Sequence, residues 1–210
     1  MQLIAQAAFL LILGVAIYFI NRRIQLIAKT IKLGRSENRT DNASERFKTM
    51  LLVAFGQKKM FNRPVVGFLH LFVYVGFIII NIEVLEIVLD GILGTHRLFA
   101  NPLGNVYSFL INSFEFLAVA VIVACIAFLI RRNVLKTPRL SAEKHSEMRG
   151  FPALDANIIL ITEITLMWAF LSMNAADVIL QGRGVGHYAE TPTGSFAFSS
   201  FIMPLFENWS

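Results

Sequence analysis

Cysteine is nearly absent from this sequence, and charged residues are scarce. The 210 residues include one cysteine, Cys125, and 16% charged residues, against about 25% in an ordinary soluble domain. A single cysteine cannot build a disulfide framework or a CxxC metal site, so we expect no iron–sulfur cluster in this chain. Hydrophobic residues make up 56% of the sequence, which excludes a soluble enzyme.

Four long apolar runs instead predict an all-α integral membrane protein. Each run is long enough to cross a hydrocarbon core about 30 Å thick. We expect a single membrane domain over residues 1–210, with four helices in an up-down bundle. The predicted spans are about 3–20, 65–90, 107–130 and 156–180, the cytoplasmic loops 21–64 and 131–155, and the outer tail 181–210.

The basic residues are concentrated in two of the connecting segments. Seventeen of the nineteen Lys and Arg lie between residues 21 and 64 or between 131 and 150, and the other two are Arg97 and Arg183. This is the positive-inside pattern of membrane proteins, so both chain termini should face outward. The net charge of +5 therefore indicates orientation in a lipid bilayer and not binding of nucleic acid.

His70 lies within the second span, six residues after Pro64 and so about 9 Å along the helix. Ionisable groups inside a membrane are candidate functional residues, and a neutral imidazole can ligate heme iron. On a helical wheel Gly67, Tyr74, Phe77 and Asn81 fall near His70, a face that could accept a flat macrocycle. The alternative is a hydrogen bond from His70 to a polar group on a neighbouring helix.

Carboxylates are the other candidates for chemistry. Glu83, Glu86 and Asp90 form one stripe in the outer part of the second span, whereas Glu115 lies deeper in the third. Charging such groups away from water is expensive, so they are candidate acceptors for the two protons that a quinol releases on oxidation. The alternative for the stripe is that its three members simply stand in water above the bilayer.

The second span also carries a family resemblance. The run GQKKMFNRPVVGFLHLFVYVGFIIINIEVLEIVLDGILGTHR, at 56–97, and the basic stop LIRRNVLK resemble the N-terminal membrane region of bacterial membrane-bound iron–sulfur oxidoreductases. These are similar to the heterodisulfide reductase membrane subunit and the nitrate reductase gamma subunit. The likeness covers about residues 50–180.

The resemblance implies a b-type cytochrome of the bacterial inner membrane that exchanges electrons between menaquinone, as substrate, and a cytoplasmic iron–sulfur module. His70 matches the histidine that ligates the inner heme b in that family, whose counterpart ligands come from a fifth helix. Position 80 is isoleucine here, where the nitrate reductase type has a second histidine. A second heme would therefore need His96. The family's cysteine-rich domain does not occur within these 210 residues, so the iron–sulfur partner would be another protein or a C-terminal domain.

The leading hypothesis is therefore a heme b module in which His70 ligates iron and Glu83, Glu86 and Glu115 accept quinol protons. His96 and Arg97 would shape an outer quinol or second heme site. One alternative is a non-redox membrane anchor or assembly subunit, in which His70 only packs. Another is a proton-coupled transporter using Glu163, Asn174 and Asp177.

Overall fold

A computed structural model describes residues 2–35, 41–57, 60–137, 151–188 and 196–206. Parts of the predicted cytoplasmic loops and outer tail lie outside these ranges. The described residues form helices and turns, with no strand among them. The helices are α1 (Gln2–Lys32), α2 (Ala43–Met50), α3 (Pro64–Leu93), α4 (Ala100–Leu103), α5 (Asn105–Leu129) and α6 (Phe151–Gly182).

Four of the helices are long and apolar enough to cross a membrane. These candidate spans are Leu3–Lys32, Pro64–Leu93, Asn105–Val134 and Leu154–Gly182. The prediction of an all-α protein with four apolar helices is therefore confirmed. The first helix extends beyond the predicted span, because residues 21–32 continue it without a break.

Local sequence signals explain the limits of α3. Pro64 occupies the first turn, where its missing N–H leaves no hydrogen bond unmade. Gly94 ends the helix in the left-handed region, with φ 71°, and its N–H donates to the carbonyl of Asp90. Gly91 lies inside the helix, and the Phe9 ring of α1 occupies the space that a side chain there would need.

The four long helices run up and down. Gln6 near the start of α1 donates to the carbonyl of Ile92 at the end of α3, and Tyr107 at the start of α5 bonds Glu86 of α3. Asn133, just after α5, pairs with Asn157 near the start of α6. One end of the bundle, called the Arg97 end, thus joins the starts of α1 and α5 to the ends of α3 and α6. The opposite end is called the His70 end.

The core lies among α3, α5 and α6. Ala118, Val121, Ala124 and Ala175 are fully buried there, and small residues let apolar helices approach closely. A Cβ atom at Gly76 would lie only 2.6 Å from Val121, so glycine is needed where α3 crosses α5. By contrast, α1 touches α3 mainly near the Arg97 end and exposes its apolar side chains along most of its length.

Candidate functional site

Arg97 lies at the centre of a polar cluster at the Arg97 end. It follows α3 in the short connection to α4 and adopts φ 54°, a left-handed conformation that is uncommon for residues with a side chain. The backbone N–H of Arg97 donates to Asp90 Oδ2 at 2.8 Å. Its side chain is only 5% exposed, so the strained backbone serves to direct a guanidinium into the bundle.

The Arg97 guanidinium joins all three core helices. Its Nε and Nη2 atoms lie 3.0 and 2.9 Å from Asp177 Oδ2 on α6, and Nη1 lies 3.2 Å from Glu83 Oε1 on α3. Nη1 also donates to the Tyr107 hydroxyl of α5, and Nη2 donates to Asn174 Oδ1 of α6. Burial by itself lowers the pKa of Arg97, but Tyr107, Glu83 and Asp177 more than offset this, so the pKa is raised and the charge is fixed.

The rest of the acidic stripe is also held by hydrogen bonds. Glu86 accepts from the Tyr107 hydroxyl at 2.7 Å and from the backbone N–H of Phe99 at 2.8 Å. Asp90 accepts from the backbone N–H of Leu98 and the Thr95 hydroxyl. Glu83 and Glu86 are 1% and 3% exposed. The alternative that the stripe stands in water is therefore wrong for these two residues.

Glu83 has an unusual environment within this cluster. Its Oε1 atom accepts from Arg97, but in the described part of the chain its buried Oε2 has no hydrogen-bond partner. A buried carboxylate oxygen without a donor is costly when charged. The cluster also contains four carboxylates, Glu83, Glu86, Asp90 and Asp177, around one guanidinium. A proton bound to Glu83, or a hydrogen bond donated to it by a ligand, would give Oε2 a partner and reduce the excess negative charge of the four carboxylates.

A cavity of about 230 Å³ opens beside Glu83. Its walls also include Glu86, Asp90, Arg97 and Asp177, together with apolar Ile87, Met173 and Leu180. His96 also lines the cavity; its Nε2 lies 3.1 Å from Asp177 Oδ1, and its ring centroid lies 4.5 Å from that of Tyr188. The cavity therefore combines apolar walls with charged and hydrogen-bonding groups, as small-molecule sites commonly do.

Glu115 connects this cluster to residues 196–206. Asn174 bonds Arg97 through Oδ1 and donates through Nδ2 to Glu115 Oε1 at 3.3 Å. Glu115 also accepts from the Phe198 and Ser199 backbone N–H groups and from the Ser199 hydroxyl. Phe196 in turn covers the Arg97 guanidinium at 5.6 Å. Residues 196–206 of the predicted outer tail thus close the Arg97 end by bonding to a buried acid.

Glu115→Gln should loosen this closing segment. An amide offers one acceptor oxygen where the carboxylate serves four donors, and hydrogen bonds to a charged group contribute about 1.5–3 kcal/mol each. Hydrogen exchange measured by mass spectrometry should therefore accelerate in residues 196–206. Glu163→Gln is the matched control, since Glu163 is a half-buried acid of α6. Equal exchange in both variants would contradict the role of Glu115 as the anchor.

His70 lies at the other end of the bundle, at a second cleft. Its ring is exposed and meets the Phe128 ring of α5 edge to face at 6.5 Å. Within the described residues it makes no hydrogen bond, so the alternative of a hydrogen bond to a neighbouring helix finds no support there. The cleft has a volume of about 370 Å³. Apart from His70 and two arginines, the residues that line it are apolar. Its lining comprises Val66, His70, Phe128, Arg131, Arg132, Ala156, Ile159 and Leu160.

Gly67 and Tyr74 do not share this cleft with His70. The backbone of Met60 packs against Gly67, where a Cβ atom would lie 2.6 Å from its carbonyl oxygen. The Tyr74 hydroxyl donates to the carbonyl of Phe55, 3.1 Å away. The chain before α3 therefore folds back over this side of the helix, and the open side of His70 is the one that faces α5 and α6.

The structure brings five candidates of the sequence analysis together: Glu83, Glu86, His96 and Arg97 line one cavity, and Glu115 adjoins it through Asn174. Asn174 and Asp177 belong to the same cluster, but Glu163 is 14 residues from Asp177, or about 21 Å along α6.

Sequence reasoning missed Tyr107, Ser199 and the two arginines beside His70. Of these, the sequence indicated only Arg131 and Arg132, and only as basic residues at the end of the third span.

Comparison with known proteins gives a distant relative. The chain is similar to FadF of Bacillus subtilis (strain 168), described as a probable iron–sulfur-binding oxidoreductase, with 26% identity over 197 residues. The match covers 93% of this chain and 26% of FadF, so the chain spans about a quarter of that relative's length. No family model and no solved structure matches. The chain is thus distantly related, over most of its length, to a larger protein described as a probable iron–sulfur-binding oxidoreductase.

Proposed function

We propose that this protein is the quinone-linked, heme b-containing membrane part of an iron–sulfur oxidoreductase. Menaquinol would be oxidised in the cavity at the Arg97 end, which would face the outside of the bacterial inner membrane. Electrons would leave through a heme at the His70 end to a cytoplasmic iron–sulfur protein or domain. The basic segments at the His70 end support its placement on the cytoplasmic side, and the similarity to FadF supports an iron–sulfur partner.

The observation that carries the proposal is the buried Oε2 of Glu83 beside the cavity, which accepts no hydrogen bond from the described residues. A quinol loses two electrons and two protons on becoming a quinone, so its oxidation site needs proton acceptors next to an apolar ring site. Glu83 can accept a hydrogen bond from one quinol hydroxyl and then hold its proton. Arg97 donates to Oε1 of Glu83, and this bond holds the accepting Oε2 atom in position.

Glu86 and Glu115 have different roles in this proposal. Both oxygens of Glu86 and both of Glu115 already accept hydrogen bonds from the protein. In the proposal Glu86 passes a proton onward through Tyr107, and Glu115 holds the segment that closes the site. His96, paired with Asp177, stands as the second proton acceptor. Because His96 Nε2 is engaged in this pair, the proposal includes one heme and not two.

The cleft at the His70 end fits one side of a heme site. It presents an exposed imidazole without a hydrogen bond to the described residues, beside an aromatic ring and apolar side chains. When bound there, heme would be held by His70 and would supply one-electron transfer. The described residues bring no other histidine to this cleft. A second residue that holds the heme would then come from a further helix, as the resemblance implies.

A spectroscopic experiment tests this function. The full-length protein, purified with its native partners into nanodiscs, should show a b-type heme spectrum and should be reduced by a menaquinol analogue. Glu83→Gln should slow quinol-dependent reduction by about 10²-fold or more, the usual contribution of a positioned proton acceptor. Heme content should stay unchanged.

Glu45→Gln, at an exposed acid of α2, is the matched control and should reduce at the wild-type rate. A wild-type protein without heme, or reduction that is insensitive to Glu83→Gln, would contradict the proposal. Proton uptake into liposomes without a redox donor would instead favour the transporter hypothesis.

A further inference from the structure

Residues 43–57 form a short helical arm, called the α2 arm, within the stretch that the sequence predicts as a cytoplasmic loop. The helix α2 passes without a break into a π-helical turn, Leu51–Phe55, and no residue of the arm is buried. Its large apolar side chains are 41–60% exposed: Phe47, Met50, Leu51, Leu52, Val53 and Phe55. Such a surface needs a cover that the described residues do not supply.

The polarity of the α2 arm changes along its length. In α2 the side chains of Glu45 and Lys48 lie about 60° apart on one face, and those of Phe47 and Met50 lie on the opposite face. Residues 49–57 carry no charge, and the LLVAF turn among them is apolar on every side. An amphipathic helix suits the boundary between water and lipid, whereas a turn that is apolar all round suits the lipid interior.

A bond to α3 gives the level of the turn along the bundle. The Tyr74 hydroxyl donates to the carbonyl of Phe55 at 3.1 Å. Tyr74 is ten residues, or about 15 Å, beyond Pro64, where the candidate span begins. A helical side chain leans back toward the start of its helix, so the carbonyl of Phe55 lies between these two levels. The end of the α2 arm therefore lies within the length of the span.

Carbonyl groups at the end of the α2 arm are capped by side chains. The last carbonyls of a helical segment have no donor within the helix. Here the Gln57 side-chain amide donates to the carbonyl of Ala54 at 2.7 Å, and Tyr74 serves that of Phe55. Water would satisfy these groups at an aqueous surface, but in hydrocarbon each must find its partner within the protein. The capping is therefore what a lipid location requires.

We propose that the α2 arm is embedded in the lipid leaflet at the His70 end. The turn Leu51–Phe55 contacts lipid acyl chains, and α2 lies at the headgroup level with Glu45 and Lys48 toward water. The segment predicted as a loop thus contains a membrane attachment that does not cross the bilayer. This inference is independent of the proposed function, because it requires neither heme nor quinol.

Labelling from the lipid phase tests the proposal on the wild-type protein. The full-length protein with its native partners is placed in phosphatidylcholine nanodiscs containing a phospholipid with a photoreactive diazirine in its acyl chain. After illumination, mass spectrometry should find label on tryptic peptide 49–58, as on peptide 1–22 of the apolar helix α1. The peptide that ends at Arg46 should remain unlabelled, because it precedes the apolar turn.

A matched pair of variants adds a second measurement. Val53→Asp places a carboxylate in the turn, where contact with hydrocarbon is costly. The turn should leave the lipid, so that peptide 49–58 loses its label. Thr49→Asp adds the same charge to the polar face of α2, about 40° from Glu45, and should keep the label. Both positions are exposed, so neither change disturbs a packed core.

Each contrary outcome identifies a different cover for the α2 arm. Absence of label from peptide 49–58 of the wild-type protein would overturn the proposal. If label then appeared once the native partners were removed, a partner protein and not lipid would cover the arm. If label stayed absent, the turn would lie in water. Equal labelling of Val53→Asp and Thr49→Asp would also contradict insertion of the turn.

Discussion

Arg97→Gln is expected to lower the free energy of unfolding by about 3–5 kcal/mol, the usual result of removing one partner of a buried ion pair. Glutamine cannot replace the charge that faces Glu83 and Asp177, both of which are nearly excluded from solvent. Two carboxylates would then remain buried without a cation. Equilibrium unfolding in detergent by SDS, followed by tryptophan fluorescence, should measure the loss.

A matched control and a compensating variant sharpen this prediction. Arg183→Gln changes an exposed arginine at the same end of the bundle and should shift stability by less than about 0.5 kcal/mol. Arg97→Gln/Asp177→Asn should recover part of the loss, because the second change removes an uncompensated charge. Strict additivity of the two single effects would show that the Arg97–Asp177 contact is not an energetic pair.

The helices were predictable because their signals are local. Pro64 at a first turn, a long apolar run and a glycine at position 94 mark the two ends of α3 without reference to any other part of the chain. The same holds for α5, whose apolar run ends at basic residues. Membrane helices satisfy their own backbone hydrogen bonds, so length and hydropathy largely determine where they form.

The acidic stripe was predictable, but its partners were not. Helical spacing places Glu83, Glu86 and Asp90 on one side of α3. Which groups they meet depends on how α3 packs against α5 and α6, and no local pattern connects position 83 with Arg97, Tyr107 or Asp177. Burial of Glu83 follows from that packing, so the sequence could not exclude a solvated stripe.

The longest connections were the least predictable. Glu115 meets Ser199 across 84 residues of sequence, and residues 196–206 alone indicate only an amphipathic surface segment. A helical wheel likewise places Gly67 beside His70, but it cannot show that Met60 folds back onto that glycine. A site can combine residues from distant segments. Such residues were therefore recognised only where each had its own signal in the sequence.

His70→Ala should eliminate the b-type heme band while leaving an inserted, folded protein. The imidazole would hold the heme through a ring nitrogen, and the other groups in its cleft are apolar side chains and arginines, which do not ligate heme. An alanine there removes little packing, since the His70 ring is exposed and contacts mainly Phe128. Heme content should be measured by the pyridine hemochrome method on protein that elutes normally from a size-exclusion column.

External imidazole provides the decisive control for this variant. The small ligand can enter the space left by the side chain, so adding it with heme should restore the band in His70→Ala. His96→Ala should keep the band without imidazole, because His96 lies at the Arg97 end and pairs with Asp177. A full band in untreated His70→Ala, or its loss in His96→Ala alone, would show that the iron is held elsewhere.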